Sequence, residues 1–249
     1  MNSTEQPALF AETVYKAKHQ EIIMKKPILS VLAAAIAVST LFTASATYAD
    51  EDENGKHHYS ITITNITRGQ NLAPPAVIVH NSRYKMFTLG GMPSHEIAQL
   101  AEAGNGSLIL GMAASMPSVY KTVLGTGGIA PGASQTIEIE TTKNFSEISI
   151  GTMLATTNDG FMAVRGIHLP RRGSVTVDAE AYDAGSEANS ETCAFIPGPP
   201  CRDTAHNPAA PEGYVHVHAG IHGVIGGTLL AAQADWRNPV AEIVIKRID

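Results

Sequence analysis

The sequence predicts an all-β protein, an antiparallel β-sandwich with one short helix. In many short segments apolar and polar side chains alternate, which is the two-residue period of a strand with one buried face. Turn residues such as Asn158-Asp159-Gly160 and Pro131-Gly132 separate these segments. Few helix-periodic stretches lie between them, and this favours an antiparallel sandwich over a parallel sheet, which needs crossover helices.

The strand candidates begin at Ser60 and continue to near the end of the chain. In SITITNI the side chains of Ile61 and Ile63 share one face, and EISI repeats the pattern at Ile148 and Ile150. These segments are predicted to be half-buried strands. The other candidates are QTIEIETT, PAVIVHNS, SVYKTVL, FMAVRGIHL, SVTVDAEA, GYVHVH and VAEIVIKRI.

One segment, PSHEIAQLAEAGN, has the period of a helix instead. Ser94 can cap the N-terminus, Ile97 and Leu100 begin an apolar stripe, and Gly104 ends the run. The sequence therefore predicts a single short helix here.

Composition limits both the size of the core and the choice of partners. The chain has 249 residues, 44% of them hydrophobic and 16% charged, which is enough to bury the core of one domain or at most two. Its formal net charge is −6, and no block of Lys or Arg is present. Nucleic acid and anionic lipid are therefore not expected as partners.

The N-terminal part has the layout of an export signal. Two lysines at 25 and 26 precede an apolar run, residues 28–42, and Ala44-Ser45-Ala46 fits a cleavage site. We therefore expect a signal peptide over residues 24–49 and one domain over residues 50–249, exported to the periplasm or the extracellular space. Residues 1–23 are interpreted as a misassigned N-terminal extension. The apolar run is too short for a membrane span, and none is expected in the mature chain.

The only two cysteines, Cys193 and Cys201, flank a short loop rich in Pro and Gly. Because an exported protein matures where thiols oxidise, we expect a disulfide between them.

The segment YDAGSEANSE, residues 182–191, concentrates oxygen donors directly after a strand-like run. Gly185 permits a turn that can bring Glu187 back toward Asp183, and Asp159, at another strand junction, can add a third carboxylate. Ca²⁺ takes six to eight oxygens from such loops. A solvated acidic turn is the plainer interpretation, and the residues alone leave both open.

The segment YVHVHAGIHG carries a second candidate set of ligands. His216 and His218 share one strand face, and His222 follows across a turn that contains glycine. Imidazoles in this pattern can ligate Zn²⁺ or Cu²⁺, and three ligands with an open position are typical of a catalytic site. A strand face that merely carries histidines is the plainer alternative, and it also stays open.

Signatures of enzymes are otherwise weak. The chain has neither a G-x-S-x-G elbow nor a Walker loop, and LGTGGIAPG lacks the Lys-Ser/Thr that a phosphate cradle needs. No nucleophile can be paired with a base from the sequence. We therefore predict a protein that is not an enzyme.

Taken in order, several segments resemble the spondin N-terminal domain family, in particular its exported bacterial members. The resemblance runs from about Tyr59 to Lys246 and depends on PPAVIVHN, MFTLGGMPSHEIAQLAEAGN, TNDGFMAV, AYDAGSEANSE, YVHVHAGIHG and WRNPVAEIVI. It implies a C2-like β-sandwich whose end loops hold calcium through acidic side chains. It also implies work outside the cell, which in animals is associated with matrix and adhesion.

Carried over by position, the calcium ligands implied by this resemblance are Asp159, Asp183 and Glu187. The animal pattern has Trp where this chain has Gly160, and Asp where it has Glu187. The predicted function is a calcium-binding module for extracytoplasmic binding or adhesion, with an unidentified protein or glycan as partner. The alternative is a histidine-site protein that binds Zn²⁺ or Cu²⁺, as a carrier or a metallohydrolase.

Overall fold

Nine strands and three helices are found in residues 55–249, the part of the chain that the structure, a computed structural model, describes. The predicted extension and signal peptide lie outside the described residues. The strands are β1 Lys56–Asn65, β2 Ala76–His80, β3 Val119–Leu124, β4 Ser134–Thr142, β5 Glu147–Met153, β6 Gly160–His168, β7 Ser174–Asp183, β8 His216–Val217 and β9 Ala241–Arg247. The helices are α1 His95–Ala103, α2 Gly106–Ala114 and α3 Ala231–Ala234, and Cys193–Phe195 form a 3-10 turn.

Strand β7 joins the two halves of the sandwich. Residues 174–179 pair with β9, whereas residues 180–183 pair with β6 on the other half. The strand order is β3-β2-β5-β6-β7-β9-β1-β4, β8 adds to the end of β7, and the pairings within this order are antiparallel. The predicted all-β antiparallel sandwich is confirmed.

The main core lies between the two halves of the sandwich and is built by the alternation seen in the sequence. Ile61 and Ile63 of β1 are fully buried, and Ile61 pairs with Ile137 of β4 on one side and with Ile245 of β9 on the other. Burying each such side chain contributes about 1.5–3 kcal/mol. In β1 the face that carries Ile61 and Ile63 is therefore the buried face, as the sequence predicts.

A second core lies under helices α1 and α2, which cover the outer face of β2, β5 and β6. Leu100 of α1 packs toward β5 at Gly151, where an added Cβ would lie 2.9 Å from the Met86 side chain. All seven residues of β5 are consequently buried. The prediction that EISI is a half-buried strand is wrong, because the helices remove its second face from solvent.

The prediction of a single short helix is also wrong. Helix α1 begins at the predicted cap, where Ser94 Oγ accepts from the Ile97 N–H at 3.3 Å, and Gly104 ends it with a φ of 65°. A second helix, α2, follows at once and is capped by Asn105, whose side chain accepts from the Ser107 N–H at 3.2 Å. Helix α2 could not be predicted from the sequence for two reasons. Asn105-Gly106 has the composition of a turn, and the residues after it are mostly apolar and so lack the period of an amphipathic helix.

All of these elements belong to one compact unit. Among residues 55–249, none of the helices has both the length and the apolar character needed to cross a membrane.

Candidate metal centre

Strand register brings Asp159 and Asp183 together at one end of β6 and β7. Asp159 directly precedes β6, Asp183 is the last residue of β7, and Gly160 pairs with Asp183 in the ladder. The Ala184 N–H then donates to the Asp159 carbonyl at 3.1 Å. Both aspartates are fully buried. The ladder therefore brings these two buried residues to the same end of the strand pair.

The Asp159 carboxylate is held by the loop that follows β7. Its Oδ2 accepts from the Ser186 N–H at 2.7 Å and from the Glu187 N–H at 3.0 Å. Its Oδ1 is buried and has no hydrogen-bond partner. Gly185 makes the turn possible, because its φ is 64° and a side chain there would collide with the Tyr214 backbone.

The Asp183 carboxylate faces a group of polar side chains from the next loop. Its Oδ1 accepts from the Gly185 N–H at 2.7 Å, and its Oδ2 accepts from Asn189 Nδ2 at 2.6 Å. His216 Nε2 lies 3.6 Å from Asp183 Oδ1. Asp183, Glu212 and His216 each offer one ligand atom, and these three atoms lie within 4.8 Å of one another.

The two aspartates oppose each other electrostatically. Burial, followed by the nearby Asp183 charge, raises the pKa of Asp159 to about 8, although the N–H groups of Glu187 and Ser186 act in the opposite direction. Burial also raises the pKa of Asp183, against the hydrogen bonds from Asn189 and Gly185 and the charge of His216. Each of the two buried carboxylates therefore favours a proton or a metal cation beside it.

His216 presents the nitrogen that a metal ligand needs. Its Nδ1 lies 3.1 Å from the Val217 carbonyl oxygen, and a carbonyl can only accept. Nδ1 therefore carries a proton, which leaves Nε2, 3.6 Å from Asp183 Oδ1, as the nitrogen that can bind a metal. Ligating histidines in proteins are usually oriented in this way by a backbone carbonyl.

His218 has the opposite tautomer and is less suited to binding metal. The Gly220 N–H donates to His218 Nδ1 at 3.0 Å, so that Nε2 carries the proton. This Nε2 is buried without a hydrogen-bond partner, 3.9 Å from Asp183 Oδ2. Burial lowers the pKa of His218 to about 4, and the charges of His216 and His222 act in the same direction. The ring is a neutral group packed against Trp236, 4.8 Å between centroids.

The remaining predicted ligands lie in other contacts. Glu187 gives only its backbone N–H to Asp159, and its carboxylate joins Glu102 and His206 in a second group. His222 is exposed, and its N–H donates to Glu191 Oε1 at 2.6 Å.

Glu212 was not predicted as a ligand. The only signal in the sequence is that an acidic residue stands in PEGYVHVH. Residue spacing does not show that the long loop after β7 folds back and brings this residue close to Asp183. Strand β8 is also shorter than the predicted segment GYVHVH, because it pairs with β7 only at Tyr182 and Asp183.

The predicted disulfide between Cys193 and Cys201 is confirmed. Its loop packs beside the segment that carries Asp159. The Gly198 N–H donates to the Ala155 carbonyl at 2.7 Å, and Thr156 Oγ1 donates to the Pro199 carbonyl at 2.8 Å. The disulfide therefore braces the loop next to the candidate site.

The structure also pairs a serine with a histidine, which the sequence did not predict. Ser149 Oγ lies 2.7 Å from His80 Nε2, and it accepts from the Gly166 N–H at 3.0 Å where the register between β5 and β6 shifts. Ser149 is 1% exposed and His80 is fully buried. The hydroxyl therefore completes the hydrogen bonding of an irregular strand pair.

No protein-family model matches this chain, and no curated protein sequence matches it. The resemblance to the spondin N-terminal domain stays a prediction made from the sequence.

Proposed function

We propose that the protein is an exported, non-enzymatic β-sandwich module that binds a divalent cation at the end of β6 and β7. One observation carries the proposal. The fully buried Asp183 lies 3.6 Å from His216 Nε2, and the fully buried Asp159, next to Gly160, the ladder partner of Asp183, has a carboxylate oxygen without a hydrogen-bond partner. Such a set of acceptors is costly to bury unless a proton or cation compensates it.

Calcium is the ion that we propose first. Asp159, Asp183 and Glu212 offer carboxylate oxygens, and the loops around them can add carbonyls, which are the ligands that Ca²⁺ prefers. The spondin resemblance implies the same ion at Asp159 and Asp183. Glu212 takes the place that the sequence had suggested for the carboxylate of Glu187.

A specific observation favours a transition metal as the second candidate. His216 places Nε2 3.6 Å from Asp183 Oδ1, and imidazole nitrogen suits Zn²⁺ or Cu²⁺ much better than Ca²⁺. In that case Asp183, Glu212 and His216 would hold the ion, and a fourth position would be open.

The cation would fix the loops that a partner contacts. It would join residues 184–191 to residues 212–218, which otherwise meet through a few hydrogen bonds such as Asn189 Nδ2 to Glu212 Oε1 at 3.2 Å. Tyr214 and Val217 are each 48% exposed on the second of these segments. We propose that this end binds an extracytoplasmic protein or glycan, and the disulfide fits an oxidising compartment.

The test is cation binding to metal-stripped mature protein. We expect heat of binding in calorimetry, and a rise in melting temperature on adding the ion, because a ligand at 100 times its Kd stabilises by about 2.7 kcal/mol. Asp183→Asn should abolish both effects for calcium, and it should also remove a transition metal bound at this site. His216→Ala should leave calcium binding intact but remove zinc or copper binding at this site.

Asp178→Asn is the matched control, because Asp178 is exposed on the same strand β7. Calorimetry of the wild type that shows no heat with Ca²⁺, Zn²⁺ or Cu²⁺, together with a melting curve that chelator does not change, would refute the proposed function.

A further inference from the structure

A second group of ligating side chains joins helix α1 to the loop that follows the disulfide. It consists of Glu102 on α1, Glu187 in the loop after β7, and His206 in the proline-rich loop. One ligand atom from each lies within 4.8 Å of the other two. None of these residues belongs to the group of Asp183, Glu212 and His216.

One carboxylate of this group is buried and has an oxygen without a hydrogen-bond partner. Glu187 is 2% exposed, its Oε1 accepts from the Asn207 N–H at 3.0 Å, and its Oε2 has no hydrogen-bond partner. Glu187, Glu102 and His206 together line a cavity of about 170 Å³. A buried carboxylate with an unsatisfied oxygen requires a donor or a cation.

The ligand atoms are already close enough to share one ion. His206 Nδ1 lies 2.7 Å from Glu187 Oε1 and 3.3 Å from Glu102 Oε2. Zinc binds nitrogen and carboxylate oxygen at about 2.0–2.2 Å, so two ligand atoms on one tetrahedral ion lie roughly 3.3 Å apart. Only small side-chain adjustments are therefore needed.

We infer that Glu102, Glu187 and His206 form a second metal site, selective for a first-row transition ion such as Zn²⁺. The imidazole distinguishes such an ion from Ca²⁺ and Mg²⁺, which prefer oxygen ligands alone. His206 is 64% exposed at its side chain, so the fourth position of the ion faces solvent. A simple ion pair between His206 and Glu187 would leave Glu187 Oε2 unpartnered, whereas a metal would compensate the whole carboxylate.

The site would pin the longest loop of the domain to helix α1. The ion would also restrain Glu187, whose backbone N–H holds Asp159 Oδ2. The second site thus goes beyond the proposed function and has its own ligands.

The experiment is zinc titration of metal-stripped mature protein that carries His216→Ala, so that the first site cannot contribute zinc binding through its imidazole. We expect one equivalent of bound Zn²⁺ by equilibrium dialysis with elemental analysis. Adding His206→Ala or Glu102→Gln should weaken its affinity at least tenfold. Cobalt should give the visible absorption of a tetrahedral Co²⁺ site in the parent and not in these variants.

His95→Ala is the matched control, because His95 is an exposed histidine at the start of the same helix. Unchanged zinc affinity in both His206→Ala and Glu102→Gln would overturn the inference, as would no bound zinc in the His216→Ala parent. Calcium titration of the His206→Ala single variant separates the two proposals. This variant keeps the ligands of the first site, so an absence of calcium binding would count against the first site alone.

Discussion

Replacing Asp159 by Asn should stabilise the protein when no metal is bound and abolish stabilisation by the metal. Asn keeps an oxygen that can accept from the N–H groups of Ser186 and Glu187, but it carries no charge. It therefore removes the repulsion from Asp183 and the cost of burying a carboxylate. It also removes a ligand of the proposed ion.

The magnitude follows from the pKa of Asp159, about 8 in the folded protein and about 3.9 in the unfolded chain. The folded protein binds the proton more tightly, so the contribution of Asp159 to stability in metal-free protein falls as pH rises from about 4 to about 8. At pH 7 the unfolded aspartate is ionised while the folded one holds its proton. About three pH units at about 1.4 kcal/mol each give a penalty of about 4 kcal/mol at most.

The assay is urea or thermal unfolding in chelator at several pH values. At pH 7 Asp159→Asn should gain up to about 4 kcal/mol, or roughly 8–16 °C in melting temperature for a domain of this size. The gain should shrink toward zero near pH 4. Added metal should stabilise the wild type and not the variant. A variant less stable than the wild type in chelator at pH 7 and above would refute the reasoning, and Asp178→Asn should change little.

Two further predictions concern the parts that support the site. Replacing both Cys193 and Cys201 by Ser should lower the free energy of unfolding by about 2–3 kcal/mol, because the loop they close spans a sequence separation of 8 residues; an unchanged urea midpoint would contradict this. Asn65→Ala should cost at least about 2 kcal/mol in urea unfolding, since buried Asn65 Nδ2 donates to the Gln70 and Ile129 carbonyls at 2.7 and 2.9 Å. Thr64→Ala, at the half-exposed neighbouring position, is the control, and an equal loss in both variants would count against the argument.

Much of the fold could be predicted from local pattern. Ile61 and Ile63 face the core because side chains alternate along a strand, and Ser94 caps α1 because its hydroxyl satisfies a free N–H. The pairing of Cys193 with Cys201 followed from there being only two cysteines. Each of these features depends on residues close in sequence or on a count.

Features that depend on tertiary packing between secondary-structure elements could not be predicted from the sequence. Helix α2 is stabilised by burial against β2 and not by a helical period, and β5 is buried on both faces because α1 covers it. The contact of Ser149 with His80 arises from a register shift between β5 and β6, which no local signal marks.

The sequence by itself determined the kinds of candidate ligand, namely carboxylates at Asp159 and Asp183 and an imidazole at His216. Only the tertiary structure decided which of them lie together, because strand pairing places Asp183 opposite Gly160 on one side and opposite His216 on the other. The same packing turned the carboxylate of Glu187 toward His206, some 19 residues further along the chain, and gave it a different set of neighbours. The identity of a residue fixes which ligand atoms it can offer. The distance between two such side chains is set by the tertiary structure of the whole domain.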